Sequence, residues 1–317
     1  MTVDRPNELD ASIVIVNYRA AEFVERCLAS VRASNGGLRL ETVIVDNDSR
    51  DGSLERLRET LPATAVLAMP ENRGFAAGVN AGFRHSSADL VVVLNPDTEL
   101  RADVLPALLE HLHGHPQTAV VAPLLEDSGG RLAPNGYRRF PSLLTLGIDL
   151  CLPAGYVLAH APTLHPYVIS SAELRAGVRP AHVCGAVMAI RRSAYEQAGS
   201  LDEGFFLYLE ETEWQQRVAR HGWAIEIVPG ARASHLVRGG GEESLTPSPH
   251  FVTSALRYLR MRGVPTALSR ATLGISLALS WAMLRVIACL PAKRAKATLQ
   301  ARAYRSLLRR ALTVRLR

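Results

Sequence analysis

The sequence predicts an α/β protein built on a mostly parallel, doubly wound sheet. Two observations carry this. Over residues 12–122, short β-branched apolar runs alternate with helically spaced ones. The apolar runs are continuous rather than alternating, as in strands buried on both faces between crossover helices.

Residues 12–17 (SIVIVN) open as the first strand. Residues 20–33 place Phe23, Val24, Cys27, Leu28 and Val31 at helical spacing, with Gly36-Gly37 as the stop. A second strand covers 41–45 (ETVIV), and an Asp/Ser-rich turn leads into a helix over 49–61. A strand at 63–68, a helix at 74–86 and a strand at 89–94 follow, then a helix at 101–113 and a strand at 118–122. Right-handed crossovers are expected throughout. Between 124 and 180 the pattern weakens into loops and small hairpins. Residues 182–190 (HVCGAVMAI) predict one further strand and 193–198 a short helix. Behind Phe205-Phe206-Leu207-Tyr208 a helix is expected over 209–221, then a late strand over 224–228. Gly239-Gly240-Gly241, Pro247 and Pro249 predict a flexible joint.

The net charge of +6 conceals a split. Residues 251–317 hold 14 basic side chains and no acidic one, so the other 22 basic residues face all 30 acidic ones, a net of −8. A uniformly basic nucleic-acid binder is thereby disfavoured. A hydrophobic fraction of 48% with 21% charged residues argues against disorder for most of the chain. Cys27, Cys151, Cys184 and Cys289 have neither paired nor metal-like spacing, which suits a reducing compartment. The first twelve residues lack the apolar core of a signal peptide, so a cytoplasmic location is expected.

Ligands of doubly wound sheets bind beyond the carboxyl ends of the strands. Polar residues stand there: Asn17, Asp46-Asn47-Asp48 and Asn95-Pro96-Asp97 each follow an apolar run. Asp46 and Asp48 suit a base or ribose, or equally a helix N-cap. The run Asn72-Arg73-Gly74 with Asn80 leads from strand to helix, where small residues and free N–H groups admit phosphates; close helix–sheet packing explains it as well. Asp97 at a strand end suits a divalent cation on a diphosphate, or an Asx turn. Glu210-Glu211 suits a general base, or a helix start. His235 is either a loop histidine or a neutral ligand completing a Mn²⁺ or Mg²⁺ shell begun by Asp97.

Taken in order, IVIVNY, VIVDNDSRDGS, ENRGFAAGVNAG, VVVLNPDT, CGAVMAIRR, GSLDEGFFLYLEETEWQQR and VPGARASH resemble the family 2 inverting glycosyltransferases, of the rhamnosyltransferase-like branch. The resemblance covers roughly residues 12–262. It implies a GT-A fold, a nucleotide-diphosphate sugar donor and a divalent metal, Mn²⁺ or Mg²⁺, on the diphosphate. It implies a catalytic domain over 1–250, with a donor half over about 1–123 and an acceptor half over about 124–250. Asp46 matches the residue that contacts base or ribose, and Asn72, Gly74 and Asn80 match the donor-pocket loop and helix. With Asn17, Asp48, Arg73 and Asn95 they make the expected donor site. Asp97 matches the last residue of the DXD motif, with Asn95 where a full motif has Asp, and His235 matches a late metal-ligating histidine. Glu210-Glu211 stands where the family has Glu-Asp, whose Asp is the base, so either Glu211 or Glu210 takes that role. Two rivals stay open: a non-catalytic sugar-nucleotide-binding module, and a nucleotidyltransferase on a similar sheet. Against the latter, NYRAAEF after the first strand lacks a Gly-rich loop.

The basic segment 251–317 contains an uncharged stretch, 271–284, between Arg270 and Arg285. At ~1.5 Å per residue it is about 21 Å long, short for a bilayer core of ~30 Å. Arg302, Arg305 and Arg309 share one helical face, with Leu308 and Leu312 beside it. The expectation is a basic amphipathic extension lying on the anionic inner face of the plasma membrane. The rivals are a packed core helix and a nucleic-acid contact. A lipid-linked or surface-polysaccharide glycan is then the expected acceptor, in cell-wall or polysaccharide biosynthesis.

Overall fold

A computed structural model describes residues 9–61, 64–127, 129–130, 132, 136–153, 169, 173, 179–236 and 246–316. The glycine joint expected at 239–241 and most of the weak stretch at 154–178 lie outside them. The chain divides into two compact units. The first comprises Met1–Arg138, Ser171–Glu203 and Glu210–Arg238; the second comprises Arg139–Ser170, Gly204–Leu209 and Gly239–Arg317.

The first unit begins with β1 (Ala11–Asn17), α1 (Ala21–Ala33), β2 (Leu40–Asp46), α2 (Ser53–Thr60), β3 (Ala65–Ala68), α3 (Phe75–His85) and β4 (Leu90–Leu94). It continues with β5 (Thr98–Leu100), α4 (Val104–Gly114), β6 (Thr118–Glu126) and β7 (Tyr137–Arg138). Then come β8 (His182–Val183), β9 (Val187–Arg191), α6 (Arg192–Ala198), α7 (Glu210–Arg220) and β10 (Ala224–His235). Eight strands form one sheet in the order β3-β2-β1-β4-β9-β6-β10-β5, and β7 pairs with β8 apart from it. This is the expected α/β architecture of mostly parallel strands, with a helical C-terminal part.

Burial explains the strand sequences. Every residue of β1 and β4 is buried, so neither strand needs a polar face. α1 buries Val24, Cys27, Leu28 and Val31 on its one apolar face. α3 lies directly on β1: a Cβ at Gly78 would meet Val16 Cγ1 at 2.6 Å, and one at Gly82 would meet Val14 Cγ1 at 2.2 Å. The small residues of that helix are therefore needed for packing as well as for any ligand. β1 pairs with β2 on one side and β4 on the other, so the strand order reverses beside it. That switch point is where such sheets open a crevice.

Three details depart from the sequence reading. The run at 182–190 forms two strands, β8 and β9, broken at Cys184-Gly185-Ala186. β9 then runs antiparallel to both β4 and β6. VPGARASH is not a strand end and a turn but the second half of β10, carried past a register shift between Val228 and Arg232.

The second unit contains α5 (Leu143–Asp149), α8 (Pro249–Met261), α9 (Thr266–Ile287) and α10 (Arg294–Thr313). Ser142 and Thr145 form a capping box at the start of α5. The core includes Leu146, Leu150, Phe205, Leu256, Tyr258, Leu273, Leu277, Tyr304 and Leu307. Buried Ser280 donates to Leu150 O at 2.9 Å and accepts from Leu152 N–H at 2.8 Å, which joins α9 to the end of α5. Arg302, Arg305 and Arg309 are exposed as expected. The packed stripe of α10 is Ala297, Ala301, Tyr304, Leu307 and Ala311, whereas Leu312 is exposed.

Candidate active site

The parallel register pairs Asn17 with Asp46 at the ends of β1 and β2. Asn17 Nδ2 donates to Asp46 Oδ2 at 2.6 Å, and the Ser49 hydroxyl donates to the same oxygen at 2.6 Å. The Ser49 N–H reaches Asp46 Oδ1 at 3.1 Å, and Asn17 Oδ1 accepts from Ala20 N–H at 3.1 Å. Three donors thus fix a carboxylate that is only 2% exposed. Asp48 sits at a φ of 61° and pairs with exposed Arg50 at 2.7 Å. Arg50 (φ 51°) and Gly52 (φ 83°) share the left-handed region, and this tight turn delays α2 until Ser53.

Asn47, one of the polar residues the sequence places at this strand end, clasps the next loop. Its Nδ2 donates to Gly74 O at 3.0 Å, and its Oδ1 accepts from Arg73 N–H at 3.2 Å. Side chains alternate along a strand end, so Asn47 points away from Asp46 and toward that loop. Asn72 Oδ1 accepts from Gly74 N–H at 3.0 Å. Gly74 takes a φ of 89°, and no side chain caps α3 behind it. The Arg73 guanidinium pairs with Glu203 at 2.9 Å. Asn80 is spent within the chain: it donates to Leu201 O (2.9 Å) and Glu203 Oε1 (3.0 Å) and accepts from Tyr195 OH (2.7 Å) and Leu201 N–H (3.1 Å). Those bonds use all four positions of its amide.

Asn95-Pro96-Asp97 leaves β4 beside the break between β8 and β9. The Asn95 N–H donates to Ala186 O at 2.9 Å, and the Thr98 hydroxyl donates to the same oxygen at 3.3 Å. β5 and β10 pair antiparallel with His235 opposite Thr98, and Leu236 N–H reaches Asp97 O at 2.8 Å. That register sets His235 Nε2 3.3 Å from Asp97 Oδ1, although 138 residues separate them in sequence.

Glu210 and Glu211 open α7, where carboxylates complement the helix dipole. Glu210 is 3% exposed, and its Oε2 has no hydrogen-bond partner among the described residues. Burial, and then the charge of Glu211, push the Glu210 carboxyl well above its ordinary range. Glu211 keeps part of its side chain accessible. Burial raises its pKa too, against bonding to the helix backbone and the opposing charge of Arg138.

These groups converge on Cys184-Gly185-Ala186. A Cβ at Gly185 would lie 3.4 Å from the Phe75 ring and 3.8 Å from Glu211 Cγ. The Cys184 thiol is pushed up to about 11, by burial first and then by the nearby charges of Glu211 and Asp97. The end of β4, the first residue of α3 and the first turn of α7 therefore meet at one turn. Arg138 carries no local sequence signal of a site, and Phe75 and this turn lie in motifs of the resemblance without a role assigned to them there. A second group absent from the sequence reading, His111, His115 and Glu226, brings three ligand atoms within 4.8 Å of one another. In it, His111 Nε2 already bonds Glu226 at 2.8 Å.

Comparison with known proteins gives the family and the fold. The family model described as "Glycosyl transferase family 2" matches residues 12–199. The chain is 28% identical over 235 residues to N-acetylglucosaminyl-diphospho-decaprenol L-rhamnosyltransferase of Mycobacterium tuberculosis, which covers 70% of this chain and 75% of the relative. It is 20% identical over 262 residues to rhamnosyltransferase WbbL of Escherichia coli, covering 80% and 93%. Among solved structures, mannosyltransferase PcManGT from Pyrobaculum calidifontis, in complex with GDP-Man and Mn²⁺, matches with a TM-score of 0.55 at 17% identity, covering 97% and 87%. GalNAc-T7 with UDP, GalNAc and Mn²⁺ matches with a TM-score of 0.57 at 17% identity; the match covers 80% of this chain and about half (48%) of that protein. Those two likenesses establish the GT-A fold. With the family model spanning more than half of its residues, the chain belongs to glycosyl transferase family 2.

Proposed function

We propose that the protein is an inverting, metal-assisted hexosyltransferase acting on a polyprenyl-diphosphate-linked glycan at the cytoplasmic face of the plasma membrane. The observation that carries this is the convergence of Asn95–Asp97, His235 and Glu211 around Cys184-Gly185-Ala186. The names of the two bacterial relatives make nucleotide-activated rhamnose the first donor to test.

Asp97 and His235 suit a resident Mn²⁺ or Mg²⁺. A carboxylate oxygen and an imidazole nitrogen 3.3 Å apart fit neighbouring ligands of one octahedral ion, which at ~2.1 Å per bond lie roughly 3 Å apart. Bound there, the ion supplies positive charge against the diphosphate leaving group. With neutral Asn95 in place of a carboxylate, Asp97 would be the one anionic protein ligand of such an ion. In this reading Asp46 and Asp48 face the nucleoside, and buried Asn17 holds the Asp46 carboxylate in place. Asn72, Arg73, Gly74 and the uncapped start of α3 face the diphosphate. Asn80 holds the loop that supports them.

Glu211 is the general base of this scheme, because it is the accessible one of the pair. It takes the proton from the acceptor hydroxyl. That oxygen bonds to the anomeric carbon from the face opposite the diphosphate, whose C–O bond breaks, and the configuration inverts. Its raised pKa brings the carboxylate closer to the basicity such a transfer needs at neutral pH. Glu210, buried beneath, adjusts the field at Glu211 without meeting substrate.

The membrane part rests on α9. Its exposed residues Leu268, Ile275, Leu279 and Val286 form an apolar stripe joined by Ala271 and Ala282. Its buried side mixes Leu273, Leu277 and Leu284 with Ser269, Gly274, Ser276 and Ser280, so large apolar residues stand on both faces. A helix whose outer face meets water carries polar residues there instead. The 22-residue helix is long and apolar enough to cross a membrane, and α10 adds exposed Arg302, Arg305 and Arg309. A face that is apolar on one helix and cationic on the next suits an anionic bilayer surface.

Glu211→Gln should lower transfer by at least about a hundredfold while donor affinity stays unchanged; near-normal turnover would remove Glu211 as the base. Glu210→Gln should change stability in a pH-dependent way. A carboxyl whose folded pKa is raised contributes stability below the ordinary Glu range, and that contribution is lost as pH rises through the raised folded value. The variant's urea midpoint should therefore gain on the wild type between pH 4 and pH 8, and a pH-independent gap would contradict the buried, raised Glu210. In co-sedimentation, Ile275→Glu/Leu279→Glu should reduce binding to phosphatidylglycerol vesicles. Equal pelleting of variant and wild type, or no pelleting of either, would sink the membrane face.

A further inference from the structure

The second unit contains a pocket of about 410 Å³ between α8, the chain end after α10 and the Gly204–Phe206 segment. Arg257, Arg310 and Arg315 line it together with His250, and Phe206 and Leu316 form an apolar side. No acidic side chain is among the described lining residues, and residues 251–317 contain no Asp or Glu. Guanidiniums brought to one concavity make a cationic surface that attracts an anion.

The cationic wall is held in place. Arg310 Nε donates to Thr253 Oγ1 at 2.8 Å. Arg260 donates to Leu316 O at 3.1 Å, and Arg270 donates to Ala311 O at 3.0 Å and Val314 O at 2.5 Å, which fixes the chain end beside the pocket. The Arg257 guanidinium lies over the Phe205 ring, 5.4 Å from its centroid. It fills the space that Gly204 leaves open: a Cβ there would lie 2.1 Å from Arg257 Cζ. Glycine at 204 thus makes room for the cation. His250 stacks on Phe206 with centroids 4.5 Å apart. Burial and the Arg310 charge hold the His250 pKa below the usual imidazole value, in keeping with a positive local field.

We propose that this pocket binds a diphosphate, with Phe206 and Leu316 taking the first carbons of an aliphatic chain when the diphosphate is lipid-borne. Guanidinium forks match phosphate oxygens bidentately, and three of them match the charge of a diphosphate better than that of a carboxylate. The volume is in the range of small-molecule sites. All of the lining residues belong to the second unit, so this site is additional to the donor residues of the first.

The test is calorimetric titration of the full-length protein in metal-free buffer with inorganic pyrophosphate, geranyl diphosphate and geraniol. Both diphosphates should bind and geraniol should not. Arg310→Gln/Arg315→Gln should weaken binding about tenfold or more, as expected for losing charge-assisted contacts. Gly204→Ala, which displaces only the flexible end of Arg257, should weaken it as well at an unchanged melting temperature. Tighter binding of geranyl diphosphate than of pyrophosphate assigns a lipid-borne ligand, and equal affinities assign a free one. Absence of diphosphate binding, binding of geraniol alone, or affinities untouched by both variants would each overturn the proposal. The readout is binding, so it stands apart from whether the chain transfers sugar.

Discussion

The hydrogen bond from Asn95 N–H to Ala186 O, 2.9 Å long, ties the end of β4 to the turn that precedes β9. It exists because β9 runs antiparallel between β4 and β6. A parallel strand in that slot would bring its far end, not its start, beside Asn95. The reversal carries Cys184-Gly185-Ala186 to the carboxyl edge of the sheet, next to the residues that leave β4. Glu211 and Phe75 then reach the same turn from α7 and α3, with Gly185 leaving the space between them open. On the other side, the antiparallel pairing of β5 with β10 presents His235 to Asp97. Two antiparallel strands inserted into an otherwise parallel sheet thus assemble groups from five places in the sequence.

The charge split has a structural counterpart. The carboxylates of the acidic part include the Asp46, Asp97 and Glu211 groups gathered at the sheet edge. The basic part belongs to a helical unit in which arginines do different things. Arg260 and Arg270 bond backbone carbonyls and hold the chain end. Arg302, Arg305 and Arg309 face outward. Arg257, Arg310 and Arg315 surround a pocket. In the same unit α9 buries Ser269, Ser276 and Ser280 beside Leu273, Leu277 and Leu284 and leaves Leu268, Ile275, Leu279 and Val286 exposed, and the Ser280 hydroxyl is satisfied by Leu150 O and Leu152 N–H. A buried hydroxyl with both partners supplied costs little, so serines share that face with Leu273, Leu277 and Leu284 while other large apolar side chains remain on the outer face.

Where interactions are local or lie between parallel neighbours, the amino-acid sequence discloses them. The runs SIVIVN, ETVIV and DLVVVL mark strands because both faces are buried. Asn17 and Asp46 end neighbouring strands, so their contact follows from parallel register. What stays hidden depends on long-range pairing. HVCGAVMAI has the composition of one strand, and only its pairing with both β7 and β4 breaks it at Gly185. His235 reads as a loop residue because the register shift in β10 lies across Pro229-Gly230, a sequence that looks like a stop. Asn80 shows the opposite limit. It sits in a ligand-like motif, yet its amide is used by Tyr195, Leu201 and Glu203, more than a hundred residues away.

In the proposed mechanism Asp97 and His235 would hold a divalent ion that assists departure of a nucleoside diphosphate from the donor. Calorimetric titration of a panel of nucleoside-diphosphate sugars, with and without Mn²⁺, tests it most directly when run on the wild type and on Asp97→Ala. At least one donor should bind the wild type tightly only with Mn²⁺ and lose about tenfold or more in affinity in the variant. Donor binding that is equally tight without Mn²⁺ and in Asp97→Ala would contradict it.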